Sequence, residues 1–343
     1  MTQTQMLAVR KEKPRPGVTI TQIPIPKPKN GEVLIKVIYA SICGTDIGIY
    51  DWIPWAEGHI KPPITIGHEV VGEVVEVNSK NKTDLKPGDL VSSETHIFCL
   101  NCYQCKIKNF HVCENMELFG IGRDGAFAQY ATIPLKTTWK NDPSIDTEWM
   151  SVQEPLGNAV NVVTKADVKG KKVLIMGLGP TGLCAGAAAK AYGAKEVVGI
   201  NRREYRRGLA MKMGFDRVLD VIPEEENNTF DAVLEMSGSK LGIDNAFEAV
   251  RIAGIIIAFG IPKERVAVDW GKYMINKELT IKSVFGREIW KTWEQTTELL
   301  KDKKVDLGQI ITHRFPLKDF EKAMKIMKSG ECGKIVLDPW SDK

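Results

Sequence analysis

The sequence predicts an α/β protein with two kinds of sheet, an antiparallel, barrel-like part first and a parallel, helix-flanked part after it. Three observations carry this reading. The chain has 343 residues, beyond the length at which a single core usually stops growing. Up to about residue 150 it runs as short β-branched segments broken by Pro and Gly. After "QEPLGNAV" apolar strands alternate with helix-length segments, the pattern of βαβ units.

In the first part, "EVLIKVIYAS", "EVVGEVVEV", "DLVSSE" and "AFAQYATIP" are strand candidates, separated by the turn-forming "PKPKNG", "KPGD" and "RDG". In the second, "KKVLIMGLGPTGLCAGAAAKAYGA" reads as a strand, a Gly-rich turn and a small-residue helix. "KEVVGIN" is a second strand and "RREYRRGLAMKMGF" a second helix; "FDAVLEMSG", "LGIDNAFEAVRIAG" and "GIIIAFGIP" continue the alternation. Two amphipathic helices are expected from about residue 290. "WKTWEQTTELLKD" spaces Trp290, Trp293 and Thr297 helically, and "LKDFEKAMKIMKSG" does so with Phe320, Met324 and Met327. With the final strand "GKIVLDP" these helices are expected to return to the first domain, which divides the chain at 1–153, 154–290 and 291–343.

Hydrophobic residues make up 43% and charged residues 26%, ordinary for a globular enzyme. The net charge of +4 is spread without a block of one sign, so neither nucleic acid nor a membrane surface is expected as a partner. The segment "MTQTQMLAVRKEKPRPG" lacks an apolar signal core, and "IIIAFGI" is too short to span a bilayer. A cytoplasmic protein is expected. Seven cysteines in that setting argue against disulfides, and four of them fall between 99 and 113, which points to a metal.

Gly177, Gly179 and Gly182, with Pro180 and Thr181 between them, follow a strand and open a helix in "VLIMGLGPTGLCAG". Glycines there allow a tight turn and let a pyrophosphate reach free helix N–H groups, so a dinucleotide site is expected. At the end of the second strand an NAD-binding chain usually carries a carboxylate for the ribose. Here Asn201 stands in its place, followed by Arg202, Arg203 and Arg206. An amide beside guanidiniums suits a 2′-phosphate, so NADP is expected over NAD; the plainer alternative is Asn201 as a helix cap.

Cys99, Cys102, Cys105 and Cys113 in "CLNCYQCKIKNFHVC" can close a tetrahedral shell around one structural zinc. Cys43 in "ICGTDIGIY", taken alone, reads as a small buried residue at a strand end. Together with His68 and Glu69 in "TIGHEVVGEV" and Glu154 in "QEPLGNAV", it fits an open zinc site that leaves a position for substrate oxygen.

"CGTD", "GHE", the four-cysteine loop and "GLGPTG" resemble the zinc-dependent medium-chain dehydrogenase/reductase family over essentially the whole chain. "KPPITIGHEVVGEVVEV", "ETHIFC", "WKNDPSI", "QEPLGNAV", "LEMSG", "FGREIWKTW" and "ITHRF" are similar to segments of its L-threonine 3-dehydrogenase subfamily, archaeal members above all. The resemblance implies a GroES-like β-barrel catalytic domain, built from both ends of the chain, around a Rossmann coenzyme domain. It implies a cytoplasmic homotetramer with one catalytic and one structural zinc per subunit. It assigns Cys43, His68 and Glu69 to the catalytic zinc, Glu154 to a further acidic ligand or near-ligand, and Thr45 to the proton path. The four loop cysteines match the structural zinc. The activity implied is hydride transfer from a secondary alcohol to NAD(P), with L-threonine as first substrate and a polyol, sugar or 2,3-butanediol as the alternative.

The subfamily pairs its threonine hydroxyl with a histidine five residues after the zinc cysteine; here that residue is Gly48. Thr45 then passes its proton to water or a ribose hydroxyl, or another base serves. His96 in "ETHIFC" is expected near the substrate, with His59 in "WAEGHIKPP" a weaker candidate. Gly48 is also expected to open space beside the zinc. Arg287 in "FGREIW" is expected at the nicotinamide end, with a structural hinge role as the alternative. Trp52 and Trp55 are candidates for the substrate mouth; Cys184 reads as core, Cys332 as a turn residue, and His111 is left out of the completed thiolate shell.

Overall fold

The computed structural model describes residues 4–341. The chain divides into two compact units: one runs through Glu154 and resumes at Ile311, and the other is Pro155–Ile310. The amphipathic helix Lys291–Lys301 therefore belongs to the second unit. This moves the return to the first unit from residue 291 to Ile311. The reason is packing: Trp293, Leu299 and Leu300 are buried, and a Cβ on Gly157 would lie 3.6 Å from Thr296 Oγ1, so that helix lies on the second unit's own Gln153–Ala166 helix.

The first unit is built on the strand Glu32–Ser41. It pairs antiparallel with Glu69–Asn78, with Tyr130–Pro134 and with Lys334–Asp338. The sheet continues outward through Leu90–Ser93 and Thr138–Lys140 on one side and Ile311–Pro316 on the other. Alternation in "EVLIKVIYAS" sends Val33, Ile35 and Val37 into a core shared with Ile66, Phe119, Phe127 and Phe320, all under 2% exposed. The helix Phe320–Ser329 closes that core with Phe320, Ala323, Met324 and Met327, the stripe its spacing predicts. Register matters for the site, because it sets Ser41 directly opposite Glu69 and next to Val336.

The second unit is a six-stranded parallel sheet. Its order is Arg217–Leu219, Glu196–Ile200, Lys172–Met176, Phe230–Glu235, Val250–Ala258, Thr280–Ser283. In chain order that is 3-2-1-4-5-6, the doubly wound arrangement whose ligands bind at the carboxyl ends of the strands. Among the described residues no helix is long and apolar enough to cross a membrane.

At the opposite, amino ends of these strands Glu226 joins Lys172 at 2.7 Å and Arg217 at 2.6 Å. Burial alone would raise the Glu226 pKa, but the bonds from Lys172, Arg217 and Thr229 outweigh it and hold the carboxyl at about 2. A carboxyl depressed on folding contributes fully above its ordinary pKa, and the contribution fades as pH falls through the folded value. Glu226→Gln is expected to cost about 1–2 kcal/mol at pH 7 and little at pH 2. Urea unfolding of both proteins at the two pH values checks this.

Candidate active site: two metal centres and a dinucleotide turn

The Glu32–Ser41 strand runs into Cys43, which caps the helix Gly44–Asp51. The Cys43 amide donates to Asp46 Oδ2 at 2.8 Å, and Asp46 is fully buried. His68 and Glu69 arrive from the start of the neighbouring strand, just after Gly67, whose φ of +98° favours glycine. Cβ atoms on Gly120 and Gly125 would lie 2.3 and 2.1 Å from the Gly67 carbonyl oxygen, so two further glycines let the His68 turn seat against the core.

These elements bring the donor atoms of Cys43, His68 and Glu69 within 4.8 Å of one another. Glu69 Oε2 accepts from Ser41 Oγ and from Lys334 Nζ, a lysine that is 1% exposed and also donates to the Ile42 carbonyl. Glu69 Oε1 and His68 Nδ1 have no hydrogen-bond partner although both are buried. His68 Nδ1 faces Asp46 Oδ1 at 3.9 Å. Burial disfavours a charged His68, yet Cys43, Asp46 and Glu154 outweigh burial and push its pKa to about 10. Burial lifts the Asp46 carboxyl to about 6. A buried group of a thiol, an imidazole and carboxylates with orphaned atoms is a donor set that a cation would satisfy. The donor set of sulfur, nitrogen and oxygen suits zinc, and Asp46 stands where a carboxylate orients a ligating imidazole.

Glu154 sits in the first turn of the Gln153–Ala166 helix, 7% exposed, and accepts from Thr95 Oγ1 at 3.1 Å. Its carboxylate lies outside the three-residue cluster, so the geometry favours a near-ligand held by Thr95. Thr45 Oγ1 lies 3.7 Å from Cys43 Sγ. His96 is 7% exposed, and Glu94 Oε1 takes both its amide at 2.9 Å and its Nδ1 at 2.7 Å. That contact fixes the ring and sets the proton on Nδ1. Neither Glu94 nor Asp46 stood out in the sequence, although "ETH" and "CGTD" place each two or three residues from a singled-out side chain.

Gly48 does not open the expected space. An added Cβ would meet Ile53 Cδ1 at 2.9 Å, so Ile53 fills it. His59 stacks on Trp55 at 4.6 Å and bonds that residue's carbonyl through Nδ1, a local loop feature. Trp52 packs on the first unit's core under Lys11, 5.1 Å from its ring, while Trp55 is 37% exposed.

In the second centre, Cys99, Cys102, Cys105 and Cys113 gather their sulfurs within 4.8 Å of one another. Amide N–H groups of Asn101 and Cys102 point at Cys99 Sγ, that of Cys99 at Cys113 Sγ, and that of Cys105 at Cys102 Sγ. The amides of Asn101 and Cys102 lower the Cys99 pKa to about 6, whereas burial and Cys102 push Cys105 to about 12. Backbone amides favour the charged form at Cys99 and Cys102, while burial raises Cys105 and Cys113, and a bound cation relieves that conflict. The residues fit a closed, structural zinc.

The strand Lys172–Met176 leads to Gly177 at φ +98° and to Gly179, the cap of the helix Pro180–Ala191. A Cβ on Gly182 would lie 2.0 Å from the Gly177 oxygen, while one on Gly179 would meet nothing within 4 Å. The turn is thus tight where it packs and open where a phosphate can approach. Asn201 Oδ1 accepts from the Arg203 amide at 2.9 Å, and Arg207 donates to the Asn201 and Arg202 carbonyls. Arg202 and Arg203 are exposed. Arg206 is only 7% exposed, so it does not stand beside them as a surface guanidinium. Arg287 is fully buried, donating to Asn158 Oδ1 at 2.9 Å with its stem against Gly157. It clamps its segment to the Gln153–Ala166 helix, which fits the structural alternative.

The fold and site define a zinc-dependent dehydrogenase. Residues 29–143 match the alcohol dehydrogenase GroES-like domain and residues 180–302 the zinc-binding dehydrogenase domain. The chain belongs to the zinc-binding dehydrogenase family and is an NAD(P)-dependent oxidoreductase. It is 43% identical over 342 residues to the L-threonine 3-dehydrogenase of Pyrococcus abyssi, covering 97% of this chain and 98% of that one. Among solved structures it is similar to a zinc-binding dehydrogenase of Sinorhizobium meliloti bound to NADP, with a TM-score of 0.90 and 26% identity over 98% of this chain and 100% of that one. It is also similar to galactitol-1-phosphate dehydrogenase of Escherichia coli, with a TM-score of 0.89 and 26% identity over 97% and 100%.

Proposed function

We propose that this chain oxidises the hydroxyl-bearing carbon of L-threonine to give 2-amino-3-oxobutanoate, passing hydride to C4 of a nicotinamide, with NADP preferred to NAD. The observation that carries the metal-assisted reading is the Cys43–His68–Glu69 cluster with its orphaned Glu69 Oε1. Full-length similarity at 43% supports threonine over the polyol reading, whose structural neighbour is 26% identical. Zinc held by Cys43, His68 and Glu69 supplies Lewis acidity, which makes an alcohol hydroxyl a stronger acid.

Thr45 Oγ1 accepts the alcohol proton and passes it toward solvent. His96, its Nδ1 proton held by Glu94, stands nearby as the base next in line from Thr45. Glu154, held by Thr95, adds negative charge beside the cluster and stabilises the cationic site. Gly177, Gly179 and Gly182 with Pro180 and Thr181 seat the pyrophosphate, while the exposed Arg202 and Arg203 flank the adenosine ribose. The exposed edge strand Thr280–Ser283 and the exposed Trp270, Ile275, Ile281 and Phe285 support assembly into a homotetramer. The protein works in the cytoplasm, with one catalytic and one structural zinc per subunit.

The test is a panel of L-threonine, 2,3-butanediol, sorbitol and glucose with each cofactor, with and without a chelator. Turnover of threonine that the chelator abolishes is expected; no threonine activity with either cofactor overturns the substrate. Arg202→Ala with Arg203→Ala is expected to raise the NADP KM about tenfold and leave the NAD KM within about twofold. A parent enzyme that prefers NAD overturns the cofactor reading.

A further inference from the structure

We propose that Glu235 is a positioning residue for the dinucleotide: its carboxylate fills the amide nest of the 236–238 turn and so holds that turn against Gly177. The inference rests on the dinucleotide reading of the 177–182 turn.

Glu235 ends the strand Phe230–Glu235 and is 3% exposed. Its Oε1 accepts from the Ser237 amide at 2.9 Å, from Ser237 Oγ, and from the Gly238 amide at 3.2 Å; Oε2 also accepts from Gly238. Its backbone oxygen accepts from Phe259 and Gly260 at the end of the next strand, and the Met236 amide donates to the Met176 carbonyl. Glu235 and the adjoining Met236 therefore tie together the carboxyl ends of three adjacent strands, the edge at which this sheet type binds ligands.

The surroundings are built to that carboxylate. A Cβ on Gly260 would lie 2.8 Å from Glu235 Oε2, and one on Gly242 would lie 3.1 Å from Oε1 and 2.3 Å from Ser237 Oγ. Ser237 extends the network: its Oγ accepts from the Ser239 amide, and Ser239 Oγ caps the helix Lys240–Ala249 by accepting from Gly242.

Two consequences bear on the cofactor. A Cβ on Gly177 would lie 2.9 Å from Ser237 Cβ and 3.0 Å from its Cα, so Ser237 forms the wall behind the first glycine of the phosphate turn. Any shift of the 236–238 turn moves that wall. Successive amides of this kind also attract anions. Glu235 satisfies them internally, so a cofactor phosphate meets the open face at Gly179 instead of a competing nest.

The experiment measures Kd for NADP and NAD by tryptophan fluorescence on the full-length zinc-loaded protein. It adds the KM for alcohol at saturating cofactor and the zinc content. Glu235→Ala is expected to raise cofactor Kd about tenfold and Glu235→Gln about threefold, with alcohol KM and zinc content unchanged. Cofactor Kd within twofold of the parent in both variants overturns the proposal, as does a parallel rise in alcohol KM. Should Glu235→Ala fail to fold, Glu235→Gln, which keeps the side chain's size, decides the matter. Gly182→Val separates the premise: if it binds cofactor as the parent does, the 177–182 turn is not the dinucleotide site.

Discussion

Cys43→Ser is expected to yield a folded protein that retains the zinc of the four-cysteine loop and has lost alcohol oxidation by on the order of a thousandfold. Lewis-acid stabilisation of a developing oxyanion supplies several kcal/mol, and each 1.36 kcal/mol is a factor of ten in rate. Serine keeps the shape of residue 43 and its place at the helix cap, while a hard hydroxyl oxygen replaces a soft sulfur. Elemental analysis should fall from about two zinc atoms per chain to about one. Cys99→Ser gives the contrasting result, because its loop encloses no open coordination position: stability falls, with loss of activity following from unfolding. Full activity in a Cys43→Ser protein holding a single zinc in the thiolate cage would remove metal-assisted oxidation from the account.

Much of this arrangement was legible in the sequence because its carriers are local. Gly-x-Gly-x-x-Gly after an apolar strand, three cysteines at two-residue intervals, and a His–Glu pair after a glycine each state their chemistry within a few residues. What was not legible depends on packing between distant segments. Arg206 and Arg287 look like cofactor contacts by residue type, and nothing in their local pattern shows that both are buried. Gly48 reads as an opening, and Ile53, five residues on, closes it. The helix Lys291–Lys301 has an apolar face that periodicity reveals, but periodicity does not say which unit receives it. Asp46 lay in plain view inside "CGTD", where the pattern assigns it no role of its own. Only the approach of His68 from another strand brings an imidazole to within 3.9 Å of its second oxygen.

Lys334 is the extreme case, since 265 residues separate it from Glu69 and nothing in "SGECGKIVLDP" marks it. The strand Lys334–Asp338 lies beside Glu32–Ser41, which itself pairs with Glu69–Asn78, and that order delivers the ammonium to the Glu69 carboxylate. Both side chains are at most 1% exposed. Burial disfavours a charged Lys334, but Glu69 and Cys43 outweigh it and raise its pKa. Removing one partner of a buried pair strands the other charge, at a cost of about 3–5 kcal/mol. Lys334→Met is therefore expected to destabilise the metal-free protein by about that much. A cation at the cluster compensates Glu69 in place of the ammonium, so the zinc-loaded variant should lose distinctly less. Zinc then binds the folded variant more tightly than the parent, by the difference between the two losses. Denaturant unfolding of parent and variant, each with zinc and with chelator, measures both numbers. Adding Glu69→Gln to Lys334→Met should recover most of the metal-free loss, because no buried charge is left without a partner. Equal destabilisation with and without zinc, unrelieved by the second substitution, would mean that Lys334 packs rather than balances charge.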